Sequence, residues 1–428
     1  FQIDGLLRVA RRIPLGLSKN REVLFFVGGL FPHEREAEIR KLTKSGLQSA
    51  ANNLQWKFVK GYDSCLGAEN VHIFNSEYIG SFPKRYSGLY IHRYTFQHSK
   101  TSNEDVGAGF INLPVLKEFS RAARLCSEID RIDCDICAQL YFVGYAATYP
   151  IVTALHHAKR KFPDSVVALI VPDLPQYMEL SRRGTGFLHK LKNHIVSKRM
   201  KGMDCYVPLT AAMAPYLGVD LSKCSVVEGI ADDYVASDLG TTAQDLPERY
   251  ILYTGTLQYR YGLGELISAF KELDDTGIGL VICGDGEAAN EIAALQSENP
   301  MVRYLGVLPP QEIKGLRNGA TLLVNPRKNE GDYTKFSFPS KMMEYLASGV
   351  PTVAYWLDGM PNDYKGLFID ATDGGLKAAL NRALAMDSEK LYQLSSRAKT
   401  YVLNHKNSKN QCARTLELFR KESMYIER

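Results

Sequence analysis

The sequence predicts an α/β protein made of two doubly wound, Rossmann-like domains. The chain has 428 residues, which is more than a single hydrophobic core usually serves. Short apolar runs rich in β-branched residues alternate with segments of helical period, and this alternation occurs in two separate series. Repeated strand–helix units favour mostly parallel sheets with helices on both faces. We therefore expect two such sheets, one per domain.

The first domain is expected over 21–235, after a basic N-terminal extension at 1–20. A strand at 23–27 ends at Gly28 and Gly29, and helical spacing follows over 34–49. A strand, a glycine turn and a helix in this order are typical of the start of a doubly wound domain. Further strands are expected at 136–143, 166–171, 204–209 and 224–227, with helices at 116–128, 146–161 and 186–201.

An acidic, small and polar stretch at 231–248 is the expected linker between the domains. The second series of elements follows it, over 246–386. Its strands are expected at 250–253, 280–283, 302–305, 322–325 and 350–354, and its helices at 263–273, 288–299 and 310–318. The region 387–428 has helical spacing throughout.

The segment 333–353 is the most informative part of the chain. It begins with polar residues on a turn, continues into a helix that contains Lys341 and Glu344, and stops at Gly349 before a buried strand. A loop that leads into a helix N-terminus presents free N–H groups and the positive end of the helix dipole. This arrangement suits a nucleotide diphosphate, and Glu344 is placed to accept hydrogen bonds from ribose hydroxyls.

This segment resembles the donor-site signature of family 4 of the retaining GT-B glycosyltransferases. Glu344 takes the place of the second acid of the family pattern, and Phe338 that of the loop aromatic. The closing residues of the pattern correspond to Ala347, Gly349 and Pro351. Phe336 stands where the family has its first acid, and Glu330 and Asp332 are candidate substitutes. The Ser-Phe-Pro-Ser-Lys form of the segment is similar to a subgroup found in bacterial exopolysaccharide and capsule assembly.

The resemblance implies the GT-B architecture, in which two Rossmann-like domains face each other across a cleft and the last helices, here 387–428, cross back to the first domain. It also implies a hexosyltransferase that moves a sugar, with retention, from a UDP or GDP sugar to a glycan or a polyprenyl-diphosphate-linked acceptor. The donor is then a substrate and no tightly bound cofactor is expected. No metal is expected either, because GT-B enzymes generally lack the Asp-x-Asp site.

The leaving diphosphate is the largest electrostatic demand of such a reaction and requires fixed cations and N–H dipoles. The resemblance places donor-binding residues at strand ends and on the signature helix: Gly28, Gly29, Gly255, Arg260, Gly284, Arg327, Ser337, Phe338, Ser340, Lys341 and Glu344. Asp173 ends a strand where the family often has His-Asp, and Pro172 replaces the histidine. We expect Asp173, Arg260 and Lys341 to serve the reaction. A basic residue is otherwise most often a solvated surface charge, and each glycine pair is otherwise a tight turn or a close helix–strand crossing.

Charge and cysteine content add two expectations. The formal net charge is +5, and the segment 182–201 carries seven Lys or Arg and no acid. A basic amphipathic helix can lie on an anionic membrane, but the pattern slightly favours the alternative, an ordinary domain helix with a solvated basic face. No aromatic-and-basic motif indicates nucleic acid. Cys134 and Cys137 lack the second ligand pair of a zinc site, and we expect a cytoplasmic protein without a leader or membrane span.

Two other functions remain open on the sequence. One is a sugar-nucleotide epimerase of the same fold. The other is a catalytically silent homologue that acts as a binding or scaffold protein. The replacements at Phe336 and Pro172 are the features that favour the second alternative.

Overall fold

The computed structural model describes residues 21–133, 138–174, 187–231, 246–273 and 277–426, with the backbone alone at 187–191. The chain forms two compact units. Unit 1 comprises Phe1–Val227 and Gln411–Arg428, and unit 2 comprises Glu228–Asn410. The α/β class predicted from the alternating pattern is confirmed in both units. The basic extension at 1–20, the pair Cys134 and Cys137, and most of the 231–248 linker lie outside the described residues.

Unit 1 is built on a mostly parallel sheet in the order β4-β5-β2-β1-β7-β8-β9, within the described residues. Only β4 runs antiparallel to its neighbour in this sheet, and β3 and β6 form a small separate antiparallel pair. The strand bounds are β1 Arg21–Gly28, β2 Val71–Asn75, β3 Tyr90–Ile91, β4 Tyr94–Phe96, β5 Asp105–Gly107, β6 Phe110–Ile111, β7 Ala138–Tyr145, β8 Val166–Val171 and β9 Cys205–Pro208.

Helices cover both faces of this sheet, which explains why its central strands are continuous apolar runs. Residues 23–28 of β1, for example, are all buried. The helix bounds in unit 1 are α1 Glu36–Leu42, α2 Ser49–Leu66, α3 Leu116–Asp130, α4 Tyr149–Lys161, α5 Phe187–Met200 and α6 Met213–Leu217.

Unit 2 contains a parallel sheet in the order β12-β11-β10-β13-β14-β15, in the part of the chain that is described. This is the 3-2-1-4-5-6 order of a dinucleotide-binding sheet, whose strand order reverses between its first and fourth strands. The strand bounds are β10 Tyr250–Thr254, β11 Gly279–Cys283, β12 Val302–Tyr304, β13 Leu322–Asn325, β14 Thr352–Ala354 and β15 Ile369–Asp370. The reversal therefore lies between β10 and β13.

The helices of unit 2 follow its strands in regular alternation. Their bounds are α7 Leu263–Lys271, α8 Ala289–Glu298, α9 Pro310–Gly319, α10 Ser340–Ser348, α11 Gly375–Leu384 and α12 Ser388–His405. The last helix, α13 Ser408–Ile426, is part of unit 1 from Gln411 onward. There Phe419 packs against Tyr141, and Arg420 donates to both oxygens of Glu22, at 2.8 and 2.7 Å.

Two element predictions in unit 1 are wrong. The helix expected over 34–49 ends at Leu42, because the chain extends at Thr43 and Gly46 takes a left-handed φ of 72°. A separate helix, α2, then begins at Ser49, and the sequence analysis missed it. The strand expected at 224–227 forms only an isolated bridge between Cys224 and Tyr206.

A buried imidazole in unit 1 joins three segments of the chain. His98 lies 2.7 Å from Asp105 through Nδ1 and 3.1 Å from Asp63 through Nε2, and its side chain is fully buried. Burial by itself lowers the pKa of His98, but the hydrogen bonds to Asp105 and Asp63 outweigh it and raise the pKa to about 9. His98 is therefore a charged link between α2 and β5 at neutral pH.

Because His98 loses its charge at alkaline pH, we expect the free energy of unfolding to fall in mildly alkaline solution. The folded-state pKa of His98 lies above its unfolded value of about 6.5, so its contribution is complete below pH 6.5 and is lost as the pH rises to about 9. We expect a loss of about 3 kcal/mol in the free energy of unfolding over this interval. Urea denaturation at several pH values measures it, and the slope should disappear in His98→Gln. An equal slope in both proteins would contradict the assignment.

Candidate functional site

Two loops of unit 2 meet at the carboxyl ends of β10 and β13, where the strand order reverses. The first loop follows β10 and ends at Gly262, and the second begins at Pro326. Gly262 has a φ of 86°, and a Cβ there would lie 2.0 Å from the Pro326 carbonyl oxygen. Only glycine permits this approach of the two backbones. Ligands of open α/β sheets bind at this kind of crevice.

Arginine and tyrosine side chains connect these loops. The ring of Tyr261 has the guanidinium carbons of Arg260 and Arg327 at 4.9 and 5.7 Å from its centre. Arg327 also lies 5.1 Å from the ring centre of Tyr333, and its Nη2 donates to Ser337 Oγ at 2.8 Å. Contacts of this kind orient a guanidinium without neutralising it. We call Arg260, Tyr261, Arg327, Tyr333 and Ser337 the arginine–tyrosine cluster.

The two arginines of this cluster lack an anionic partner among the described residues. Arg260 donates to Gln258 Oε1 at 2.7 Å and to Tyr261 OH at 3.2 Å, both of which are neutral groups. The Nε of Arg327 is buried and has no hydrogen-bond partner in the described part of the chain. Arg327 is half-buried, and charges at such positions are normally paired, whereas Arg260 is exposed to solvent. Two cations without a carboxylate, at the switch point of the sheet, are suited to an anionic ligand.

Helix α10 begins at Ser340, three residues after Ser337 of this cluster. Its N-cap residue is Pro339, and no side chain caps its first N–H groups. Ser340 at its first position is exposed. Lys341 lies 3.3 Å from Glu344 on the next turn. The helix N-terminus thus adds its dipole and a third cation to the same edge of the unit.

Glu344 makes a second ion pair that the sequence did not reveal. Arg317, near the end of α9, places Nη1 3.0 Å from Glu344 Oε2, the oxygen that Lys341 also contacts. Arg317 precedes Glu344 by 27 residues and belongs to no recognisable motif. Only the packing of α9 beside α10 brings the two side chains together.

Tyr345 fixes the signature helix to the end of β10. Its hydroxyl is 3.0 Å from the Thr254 amide nitrogen, from which it accepts, and 3.1 Å from Thr254 Oγ1. Burial raises the pKa of Tyr345 to about 12, so the hydroxyl is neutral at physiological pH. Tyr345 therefore ties α10 to the strand end from which the Arg260 loop leaves.

The glycine turns after β10 and β11 pack against each other. A Cβ on Gly284, whose φ is 144°, would lie 1.8 Å from the Gly255 carbonyl oxygen. The Gly255 amide donates to the Cys283 carbonyl at 3.0 Å. Gly284 is thus required by backbone packing, and Gly255 by its φ of 155°, which is the tight-turn alternative.

The two phenylalanines of the signature segment, Phe336 and Phe338, are core residues. Phe338 is buried and its ring centre lies 5.2 Å from that of Tyr364. Phe336, at the position of the family's first acid, is also buried. The candidate substitutes Glu330 and Asp332 are exposed, and Asp332 pairs with Lys335 at 3.1 Å. The buried ring of Phe338 can support the loop around Ser337 from the protein core, but it is not exposed to a ligand in solvent.

In unit 1, neighbouring side chains fill the space beside the glycine pair that follows β1. The Gly29 N–H donates to Gln55 Oε1 at 2.8 Å, and a Cβ at Gly29 would lie 2.3 Å from the Tyr78 ring. A Cβ at Gly28 would lie 2.5 Å from the same Gln55 oxygen. The expected contact of the Gly29 amide with a diphosphate is therefore not available in this conformation. The close crossing of β1 and α2 explains Gly28, and the packing of Tyr78 from the loop after β2 explains Gly29.

Asp173 lies just beyond the carboxyl end of β8 in unit 1, with its side chain exposed. A cavity of about 470 Å³ opens at the same edge, near the ends of β2, β7 and β8. Its lining contains one acid and four basic residues: Glu118, Arg85, Lys117, Arg121 and Lys192. Asp173 is not among the lining residues of this cavity. It belongs to unit 1, whereas the arginine–tyrosine cluster belongs to unit 2.

The basic segment in unit 1 forms α5. Its side chains at Val196 and Met200 are buried. Arg199 donates to Thr153 on α4 and lies over the Tyr149 ring at 5.7 Å. Arg199 thus packs within the unit, as in an ordinary domain helix, whereas Lys198 is exposed. The residues 182–186 lie outside the described chain.

Neither a metal cluster nor a membrane span is found in the described ranges. No group of three or more His, Cys, Asp or Glu side chains there is arranged to hold a metal ion. No described helix has the length and apolar character needed to cross a bilayer.

Comparison with known proteins agrees with this geometry. Residues 248–386 match the family model described as "Glycosyl transferases group 1". The chain is similar to D-inositol 3-phosphate glycosyltransferases of Corynebacterium aurimucosum, with 32% identity over 127 residues, and of Corynebacterium jeikeium, with 31% over 141 residues. These alignments cover 27% and 29% of this chain and only 29% and 32% of the relatives.

Solved structures match over nearly the whole chain. Anabaena HepE in complex with UDP superposes with a TM-score of 0.58 at 14% identity, covering 92% of this chain and 99% of that one. OtsA in its apo form gives a TM-score of 0.61 at 10% identity, covering 93% and 99%. At these identities the likeness concerns the fold alone. The chain therefore has the GT-B fold, and its residues 248–386 carry the sequence pattern of the group 1 glycosyltransferases.

Proposed function

We propose that this protein is a glycosyltransferase that uses a nucleotide-diphosphate sugar as donor and binds it at the carboxyl edge of the unit 2 sheet. The observation that carries the proposal is the pair Arg260 and Arg327, which have no carboxylate partner among the described residues. They lie at the switch point between β10 and β13. The match of 248–386 to the group 1 family model supports the same function.

The roles follow from charge and position. Arg260, Arg327 and Lys341 face the diphosphate, together with Ser337, Ser340 and the uncapped N-terminus of α10. When the bond between the sugar and the diphosphate breaks, negative charge grows on the leaving phosphate oxygen, and fixed cations stabilise it more in the transition state than in the ground state. Glu344 accepts the ribose hydroxyls. Gly255 and Gly284 shape the turns beside them, and UDP is the first donor nucleotide to test, since the HepE structure holds UDP.

The acceptor would bind to unit 1. Its cavity of about 470 Å³ is large enough for a sugar, and the charged residues of its lining are four cations and one acid, which favours an acceptor with a phosphate or another acid group. The curated relatives act on D-inositol 3-phosphate, and a polyprenyl-diphosphate-linked sugar has the same anionic character.

Retention of anomeric configuration and a role in bacterial exopolysaccharide or capsule synthesis are part of this proposal, as is contact of 182–201 with an anionic membrane.

Donor binding and sugar transfer are separate tests. We expect isothermal titration calorimetry to show binding of UDP or GDP with a dissociation constant in the micromolar range, as is usual for enzyme substrates. Incubation of the corresponding sugar nucleotides with phosphorylated and lipid-linked acceptors should then release the nucleoside diphosphate, and NMR of the product gives the anomeric configuration. Absence of binding for both nucleotides would contradict the proposal.

The same experiment distinguishes the alternatives. Conversion of a sugar nucleotide without any acceptor would identify an epimerase instead. Nucleotide binding without sugar release for every acceptor would identify a catalytically silent homologue.

A further inference from the structure

Two cations of different exposure share one oxygen of Glu344. Arg317 Nη1 lies 3.0 Å from Glu344 Oε2 and has a side chain that is 11% exposed, whereas Lys341 Nζ lies 3.3 Å from the same oxygen and is 34% exposed. One carboxylate needs one cation for neutralisation. The second cation is therefore available to another anion without leaving Glu344 unpaired.

The two cations differ in how they are held. Arg317 belongs to α9, packs beside α10, and makes its one ion pair among the described residues with Glu344. Its buried Nε has no hydrogen-bond partner there. Lys341 is on α10 itself, has a flexible stem, and lies in the first turn of the helix, four residues after Ser337 of the arginine–tyrosine cluster. A flexible ammonium can change partners, whereas a packed planar guanidinium holds one geometry.

We propose that Arg317 is a positioning residue for the donor ribose. It holds the Glu344 carboxylate in orientation when Lys341 turns from Glu344 to the donor diphosphate. Glu344 then presents a carboxylate to the ribose 2′ and 3′ hydroxyls, and Arg317 never touches the nucleotide. This inference rests on the proposed function, because it assigns a residue that acts through Glu344 in the same site.

The test compares ribose and dideoxyribose nucleotides. We expect Arg317→Met to weaken binding of UDP or GDP, whichever the wild-type protein binds, by roughly tenfold, the usual loss for a charge-assisted hydrogen bond. Binding of the matching 2′,3′-dideoxynucleoside diphosphate should change less than about threefold, because that ligand offers no hydroxyl to Glu344. Arg317→Lys should recover part of the loss. Lys341→Ala should weaken both ligands alike, since it removes a diphosphate contact.

Lys377→Met is the matched control, because Lys377 forms an exposed ion pair with Glu272 at 3.4 Å in the same unit. It should leave both affinities unchanged. Equal weakening of the two ligands by Arg317→Met, at an unchanged melting temperature, would overturn the positioning role and show a general effect on the site. If Arg317→Met does not fold, the same comparison is made with Arg317→Lys. Absence of UDP and GDP binding in the wild-type protein would contradict the proposed function itself.

Discussion

Replacement of Arg327 by methionine is expected to reduce kcat of sugar transfer by about 10²- to 10³-fold, the usual effect of removing one preorganised donor to a developing charge. Arg327 is oriented by Ser337 and two tyrosine rings, and no described carboxylate neutralises it. Its charge is therefore already directed at the ligand before the reaction begins. Steady-state kinetics with a saturating sugar nucleotide measure the effect.

Two further variants serve as controls. One keeps the positive charge at position 327, and the other removes an arginine elsewhere in unit 2. Arg327→Lys keeps the charge but not the planar geometry, so its kcat should fall between those of the wild type and Arg327→Met. Arg397 is an exposed arginine of unit 2 that donates to the Gly366 carbonyl, and Arg397→Met should change kcat less than twofold. A near-normal kcat in folded Arg327→Met would remove Arg327 from the site.

Replacement of Lys406 by methionine is expected to destabilise unit 2 by about 3–5 kcal/mol, because it leaves a buried carboxylate without its cation. Lys406 Nζ lies 2.6 Å from Glu228 Oε1, and the two side chains are 6% and 1% exposed. Tyr364 donates to the same oxygen at 2.8 Å. The Lys406 carbonyl also accepts the Ala231 amide at 2.8 Å. Urea denaturation followed by tyrosine and tryptophan fluorescence measures the loss.

A double variant distinguishes the cost of removing the cation beside Glu228 from the cost of losing the Lys406 side chain itself. Glu228→Gln with Lys406→Met also removes the buried carboxylate, and the other carboxylate beside Lys406, that of Asp363 at 3.1 Å, is 44% exposed, so this protein should be more stable than Lys406→Met alone. Lys377→Met, at an exposed pair, should change the free energy of unfolding by less than about 1 kcal/mol. A loss of that small size for Lys406→Met would show that the Glu228–Lys406 pair does not hold the unit together.

Several residues of the candidate site could be predicted from the sequence, and others could not. Lys341, Glu344 and Ser340 were found because a polar turn, a helix and a glycine stop are close together in the chain. Arg327 was found because it follows an apolar strand directly, and Arg260 because it lies close to a position where the family resemblance places a cation. Arg317 was missed, since its relation to Glu344 arises from the packing of two helices and leaves no local pattern. Tyr261 and Tyr333 were given no role, because their contacts with Arg327 depend on how the loops after β10 and β13 fold.

Glycine was the least informative residue when interpreted alone. Gly29 and Gly284 matched the pattern of ligand-facing turns, yet Gln55 and Tyr78 fill the space beside Gly29, and the Gly255 carbonyl fills that beside Gly284. A glycine reports only that a Cβ does not fit. Whether a ligand or another part of the protein occupies the space depends on segments that are distant in the chain.

The sequence by itself determined the α/β class, the two series of strands and helices, and the segment around Ser340, because these depend on periodicity and on neighbours a few residues apart. The tertiary structure alone decided the strand order that places β10 beside β13, the contact of Gly262 with Pro326, and the pairing of Arg317 with Glu344. Each of these joins residues far apart in the chain, and only the packing of the completed sheet brings them together.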